Sequence, residues 1–314
     1  MWFKQAQIFQ LTAPMAYDAE QLEQQLAAFA FSPCLPSLPS TYGFISPFDL
    51  EGAPLVHAGN HCLMFCLQFE EKILPATVVR HALREKIKHI AASQSRSVSQ
   101  KEKNEMKEEV TQTLLPRAFS KLTKVYGYID TRQHYVVLDT TAALKTEKLI
   151  ALLGRAVAGL QLEYVETKRI ATLMTHWLLD GDYPVSLFIE KKCVLRDPKE
   201  MHRVIRCQHQ ELSAEGVLSL IKDGCEVNQL AFAWHDRVSF VLHDNFVLSG
   251  LRFHDVVLAL AKSQDAASSL QKLDADFFIM TETLQALFAD LFAACCAETA
   301  KSPAMVGAAS PVLA

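Results

Sequence analysis

Two groups of residues in this chain have side-chain types and spacing suited to chemistry on phosphates. Asp180 or Asp182, followed by Glu190-Lys191-Lys192, places two carboxylates and a lysine within a short stretch. Carboxylates so placed can hold Mg²⁺ while the lysine orients or activates an attacking water, the chemistry of metal-dependent phosphodiester hydrolysis. The pattern is short and charged residues are common, so it arises often by chance. The second group is cationic. Arg80, Arg84 and Lys88 recur every four residues, Lys103 and Lys107 repeat the interval, and Arg117, Lys121 and Lys124 surround Phe119 in TQTLLPRAFSKLTK. Cations repeated along helices neutralise phosphates at regular spacing and release counterions, giving salt-dependent binding without sequence preference. The same rows would serve equally as a solvated helix face. Nothing resembles Asn, Gln or Arg aimed from a recognition helix at base edges, so direct readout has no support.

The charge distribution favours the cationic group. Residues 72–124 hold twelve Lys or Arg against five Asp or Glu, a balance of +7 that leaves −11 for the rest of a chain whose net charge is −4. One segment therefore presents a positive field on an otherwise acidic protein. Other chemistry is missing. There is no P-loop, GxGxxG, HExxH or GxSxG, and only 11 of 314 residues are glycine, which disfavours a phosphate-cradling loop. His81 and His89 lie in the basic stretch, and His202, His209, His235, His243 and His254 among later strands, as surface or satisfied core histidines. The eight cysteines form no Cys-x-x-Cys pair and read as reduced, buried thiols. No catalytic residue, metal ligand or cofactor is assigned. The N-terminus lacks the features of a signal peptide. No window reaches the roughly 18 uninterrupted apolar residues of a membrane helix. The expectation is a cytoplasmic protein with no membrane partner.

The elements that must position these groups follow from periodicity. WFKQAQIF reads as a strand, AEQLEQQLAAFAF as a helix and CLMFCLQF as a buried strand, with SPCLPSLPSTYGFISPF between them as an ordered loop. Residues 72–115 change character. Pro75 opens a helix whose apolar stripe is Val79, Leu83, Ile87 and Ile90, with Arg80, Arg84 and Lys88 on another face. Ser99-Gln100-Lys101-Glu102 matches a capping box and opens a second helix bearing Met106, Val110 and Leu114. The two form a helical hairpin through the SQSRSVS turn, projecting from the body. VYGYID and HYVVLDT read as paired strands, ALKTEKLIALLGRAVAGL as a helix and QLEYVE as a strand. After a turn at Gly-Asp-Tyr-Pro come SLFIEK, CVLR, RVIRCQ, VNQLAFAW, RVSFVLHD and VLSGLRF as short strands. The helix SAEGVLSLIKDG interrupts them, with Ser213 as cap and Gly224 as stop. DFFIM precedes a helix with Leu284, Leu287, Phe288, Leu291 and Phe292 in one stripe, and KSPAMVGAASPVLA reads as a frayed tail. The class is α+β with at least two lobes.

WFKQAQIFQL, AFSPC (30–34), EEKILP (70–75) and LLPRAFS (114–120), continued by VIRCQHQELS, QLAFAW and LDADFFIMT, resemble the recombination-associated protein RdgC family from end to end. The resemblance implies a nucleoid-associated, DNA-binding protein without catalytic activity. Its fold would be a multi-lobed α+β horseshoe protomer whose homodimer closes head-to-head and tail-to-tail into a ring. Duplex DNA would thread the positively lined hole, limiting access of the RecA recombinase. The division it implies is 1–71 with 125–178 and 273–300 as a central α+β domain, and 72–124 as the basic helical-hairpin tip. Residues 179–272 would form an α+β base, and 301–314 the tail.

Two contact regions would close such a ring, one at the helical tips with LLPRAFS and one around VIRCQHQEL. On this resemblance Phe119 is a dimer anchor across a twofold contact, its alternative being a core residue under the hairpin. Arg80, Arg84, Lys88, Lys103, Lys107, Arg117, Lys121 and Lys124 would contact DNA, joined by Gln208, His209 and Gln210. In that second region the family carries lysine where this chain has Gln208-His209-Gln210, and Lys191, Lys192, Arg203 and Arg206 are placed to compensate. Two rivals remain: a metal-dependent nuclease using Asp182, Glu190 and Lys192, and a protein-interaction module whose hairpin docks an acidic partner.

Overall fold

A computed structural model describes residues 1–13, 17–48, 52–94, 96–200, 202–262 and 269–296. The expected tail 301–314, the last residues of the 273–300 stretch and Ser95 in the inter-helix turn lie outside them. Along the chain the first elements are β1 (Gln5–Leu11), α1 (Ala19–Ala27), β2 (Ser40–Ile45), β3 (Val56–Gly59) and β4 (Cys62–Ile73). Next come α2 (Ala76–Gln94), α3 (Gln100–Leu114), a 3-10 turn at Leu115–Arg117, β5 (Phe119–Asp130) and β6 (Tyr135–Leu138). They are followed by α4 (Ala143–Ala156), β7 (Leu162–Tyr164), α5 (Ile170–Asp180), β8 (Leu187–Arg196) and β9 (Val204–Gln208). The chain continues with α6 (Glu215–Lys222), β10 (Glu226–Trp234), β11 (Val238–His243), β12 (Leu248–Phe253), α7 (Asp255–Lys262) and α8 (Ser269–Cys295). The class is α+β, as expected. Two compact units emerge, one from Met1–Ala19, His57–Met64 and the described residues after 125, the other from Glu20–Val56 and Phe65–Val125.

The first unit is built on an antiparallel sheet in the order β5-β6-β1-β12-β11-β10-β8-β9, with β7 beside β1. Its register is continuous where hydrophobic alternation is strongest, for example Leu230↔Leu242 and Phe232↔Phe240 between β10 and β11. Helices α5 and α8 share one core with it. Trp177 of α5 packs edge-on to Phe232 at 5.8 Å, and Phe277, Leu284, Leu287, Phe288 and Leu291 of α8 are all buried. Burying each such side chain stabilises the fold by about 1.5–3 kcal/mol before entropy is counted. Residues Leu270–Cys295 are long and apolar enough to cross a membrane, yet half of that apolar window is buried inside the protein. Asp130 closes the β5–β6 hairpin by accepting the N–H groups of Arg132 (2.9 Å) and Gln133 (2.7 Å), while Gln285 Nε2 donates to its other oxygen at 2.7 Å.

In the second unit β2 pairs with β4 from Ser40↔Glu71 to Ile45↔Cys66. Six of the 17 residues of the expected SPCLPSLPSTYGFISPF loop are therefore strand. The reason is composition: Thr41, Tyr42, Phe44 and Ile45 are strand formers. Gly43 lets the Phe31 backbone approach so closely that a Cβ there would lie 2.5 Å from Phe31 Cα.

One helix was not anticipated, and two other expectations need correction. The stretch before Gly-Asp-Tyr-Pro is helix α5, missed because it is apolar nearly all round; Gly181, at φ 72°, ends it by donating its N–H to Trp177 O. SLFIEK and CVLR are one strand, β8. The N-cap of α6 is Ala214, with no side-chain cap, so Ser213 lies one residue too early. Gly224 does follow the helix, at φ 104°.

Candidate nucleic-acid interface

The α2–α3 hairpin begins after Pro75, whose carbonyl accepts the N–H groups of Val78 and Val79. At the other end Ser99 caps α3 as its sequence dictates. Its hydroxyl accepts the Glu102 N–H at 3.3 Å, and Glu102 Oε2 accepts the Ser99 N–H at 2.8 Å. Arg96 adds a two-pronged clamp on Glu102, at 3.0 and 2.7 Å. The clamp first, then the Ser99 N–H, holds the Glu102 carboxyl at about 2, against an ordinary 4.5.

Between the helices Lys86 pairs with Glu109, fixing an antiparallel register. The seam is thin, with Val79 and Val110 buried and Leu83, Ile87, Ile90, Met106 and Leu114 half-buried. In an antiparallel pair, residues one step past the seam on each helix project from the same side. Arg80, Arg84 and Lys107 therefore share a face, with Lys103 at its inner edge. Glu105 and Glu109 lie toward the side where Lys86 is paired. Arg80, Arg84, Lys88 and Lys107 are exposed and Lys103 is half-buried. Lys88 has rotated furthest from the seam and pairs with Glu85 at 2.9 Å.

The same register places LLPRAFS at the end of the hairpin joined to strands β4 and β5, opposite the end at which α3 begins after Ser99. Phe119 opens β5 and is 85% exposed, so the alternative of a core residue is not what this chain adopts. Two other exposed apolar residues on these strands escaped sequence reasoning, Leu122 of β5 at 58% and Ile73 at the end of β4 at 49%. Alternation along β5 groups Phe119 with Lys121 and sends Leu122 and Lys124 to the other face. Arg117 is exposed in the 3-10 turn just before.

The second candidate region lies on β8 and β9 in the first unit. The register Lys192↔Gln208 and Val194↔Arg206 puts Lys192, Arg196, Arg206 and Gln208 on the exposed face, opposite buried Cys193, Leu195 and Cys207. His209 leaves the strand at φ 58°, donating its N–H to Lys191 O at 2.9 Å, and Gln210 is exposed beyond it. Of the cations expected to compensate, Lys191 is paired with Glu211 and Arg203 with Asp197. Lys192 and Arg206 are the two that flank Gln208.

The carboxylate–lysine set is not assembled for a metal. Glu190 accepts the Ser239 hydroxyl at 2.7 Å, and Ser239 also meets His254 Nε2 at 2.8 Å. Asp180 lies at the end of α5 beside His176, and Asp182 two residues beyond it. Among the described residues no three His, Cys, Asp or Glu side chains converge to hold a metal ion.

Fold and geometry define an α+β protein that displays cations on an antiparallel helix pair and on a charged sheet edge. The family model described as "Putative exonuclease, RdgC" matches residues 1–298. The chain is 38% identical to the recombination-associated protein RdgC of Halorhodospira halophila over 288 residues, 91% of this chain and 95% of that one. It is 35% identical to proteins of the same name from Aeromonas hydrophila, over 295 residues, and Pseudomonas syringae pv. tomato, over 296, each alignment spanning 94% of this chain and 97% of the relative. The chain belongs to the RdgC family.

Proposed function

We propose that the chain is a duplex-DNA-binding protein without sequence preference. It acts as a homodimeric ring of two horseshoe protomers on nucleoid DNA in the cytoplasm and modulates recombination by limiting RecA access. The observation that carries this reading is the shared exposed face of Arg80, Arg84 and Lys107 on a hairpin whose strand-joined end bears Phe119. Cations so spaced match a phosphate backbone and carry no base code. An aromatic this exposed suits a small desolvated contact between two copies, where one residue acts twice. Lys192 and Arg206 supply at β8–β9 the charge that Gln208-His209-Gln210 lacks.

The test is duplex affinity against salt. With six to ten phosphates neutralised, affinity falls by roughly three to five decades between about 50 and 200 mM salt; a flat response refutes the reading. The family description favours a second reading, exonuclease action. Incubating linear and supercoiled DNA with Mg²⁺ or Mn²⁺ separates the two, since a binding protein leaves both intact. If a polyacidic peptide displaces the hairpin's partner and duplex DNA does not, the interaction-module alternative holds.

A further inference from the structure

All eight cysteines are buried thiols, and one pair of them is arranged unlike the others. Cys193 on β8 and Cys207 on β9 are direct antiparallel partners, flanked by Lys192↔Gln208 and Val194↔Arg206. The hydrogen bonds His209 N–H to Lys191 O and Asp197 N–H to Arg203 O make this a hydrogen-bonded pair, whose Cα atoms lie about 5.5 Å apart, inside the window of about 4.4–6.8 Å that a disulfide tolerates. Strand alternation turns both side chains to the same buried face, and the two thiols are close enough to share a hydrogen bond. The other candidates fail on geometry. Cys62 and Cys66 lie on one strand, about 13 Å apart along it, and Cys295 and Cys296 are chain neighbours at the end of a helix.

We propose that Cys193 and Cys207 form a modification site for low-molecular-weight disulfides, closing on oxidation to an intrachain disulfide that staples β9 to β8. The strand β9 is five residues long and, among the described residues, paired on one side only, so its local opening exposes Cys207 without unfolding the sheet. The Cys207 thiolate attacks the small disulfide, forming a protein–small-molecule mixed disulfide and expelling one small thiolate, which takes up a proton. When β9 closes again, the Cys193 sulfur, its proton lost to solvent, attacks the Cys207 sulfur and expels the second small thiol. Two protein thiols and one small disulfide thus become one protein disulfide and two small thiols. Burial first, and the neighbouring Cys207 second, pushes the Cys193 thiol up to about 12. The closing step is therefore slow near neutrality and accelerates with pH. The staple also fixes the start of Gln208-His209-Gln210, because Cys207 immediately precedes it. This inference stands on the register and does not depend on DNA binding.

Incubation of the full-length protein under native conditions with oxidised glutathione at rising pH tests it. The expected result is two fewer titratable thiols than the eight present, a Cys193–Cys207 linked peptide in a non-reducing map, and slowed amide exchange in Val204–Gln208. Cys207→Ser and Cys193→Ser each abolish the linked peptide, but the wild-type map decides even if a variant fails to fold. A native protein that retains all its thiols, that stops at the mixed disulfide, or whose linked peptides join other cysteines overturns the proposal.

Discussion

Lys86 of α2 is ion-paired with Glu109 of α3, a pairing that accompanies the antiparallel return of the hairpin whose strand-joined end carries Phe119. With residues 86 and 109 opposite one another, the chain after Leu114 arrives back near Pro75. Phe119 therefore sits where the helices meet the strands, a stiffer anchorage for a contact residue than a turn.

Replacing Phe119 by Ala removes a ring that is 85% exposed. The melting temperature is expected to stay within a degree or two of wild type, while dimer mass and the lifetime of DNA complexes fall. Sedimentation and dissociation kinetics measured together check this. A variant that melts early would return Phe119 to a structural role.

Charge reversal separates the basic face from the paired side of the hairpin. Arg84→Glu with Lys107→Glu should reduce the salt slope of duplex binding by about two phosphates' worth and weaken binding to all sequences alike. Lys86→Glu, whose wild-type side chain is occupied by Glu109, should alter the slope much less. Equal effects from both variants would deny the hairpin a distinct binding face.

The Glu102 carboxyl provides a pH signature. Folding lowers its pKa from 4.5 to about 2, so its contribution to stability is complete above about 4.5 and is lost as pH falls toward 2. A carboxyl NMR titration should find the midpoint near 2 and see it move up toward 4.5 in Arg96→Gln. Ser99→Ala removes the hydroxyl side of the same box, at a cost of about 1 kcal/mol in helix stability.

Gly43→Ala should destabilise the second unit by about 1–3 kcal/mol, because the atom displaced at 2.5 Å is Phe31 backbone, which cannot swing away. Denaturant unfolding measures the loss. A neutral result would mean that β2 and the Ala30–Phe31 segment separate more easily than their hydrogen bonds, such as Phe31 N–H to Phe44 O at 2.8 Å, suggest.

What could be read from the residues was what is local. The Ser99–Glu102 box, the stripe of α8 and the β5–β6 hairpin each depend on neighbours a few positions away, and each formed as read. Helix α5 was missed because it is mostly apolar, and the exposed His176 and Asp180 make too narrow a polar face to reveal its period. The occupation of Glu190 by Ser239 joins residues 49 positions apart, and no local pattern announces it. The faces of Lys121 and Lys124 were also out of reach, since a strand separates residues that a helix would bring together.

Strand β9 has a further consequence for anyone purifying variants of this protein. It is a short strand at the edge of a sheet, and the charge of Arg206 on it, with Lys192 on the neighbouring strand, is of the kind that limits non-specific edge-to-edge pairing. Neutralising them to weaken nucleic-acid binding also strips that protection. Such variants are expected to aggregate at concentrations the wild type tolerates, and light scattering belongs beside every binding curve measured on them.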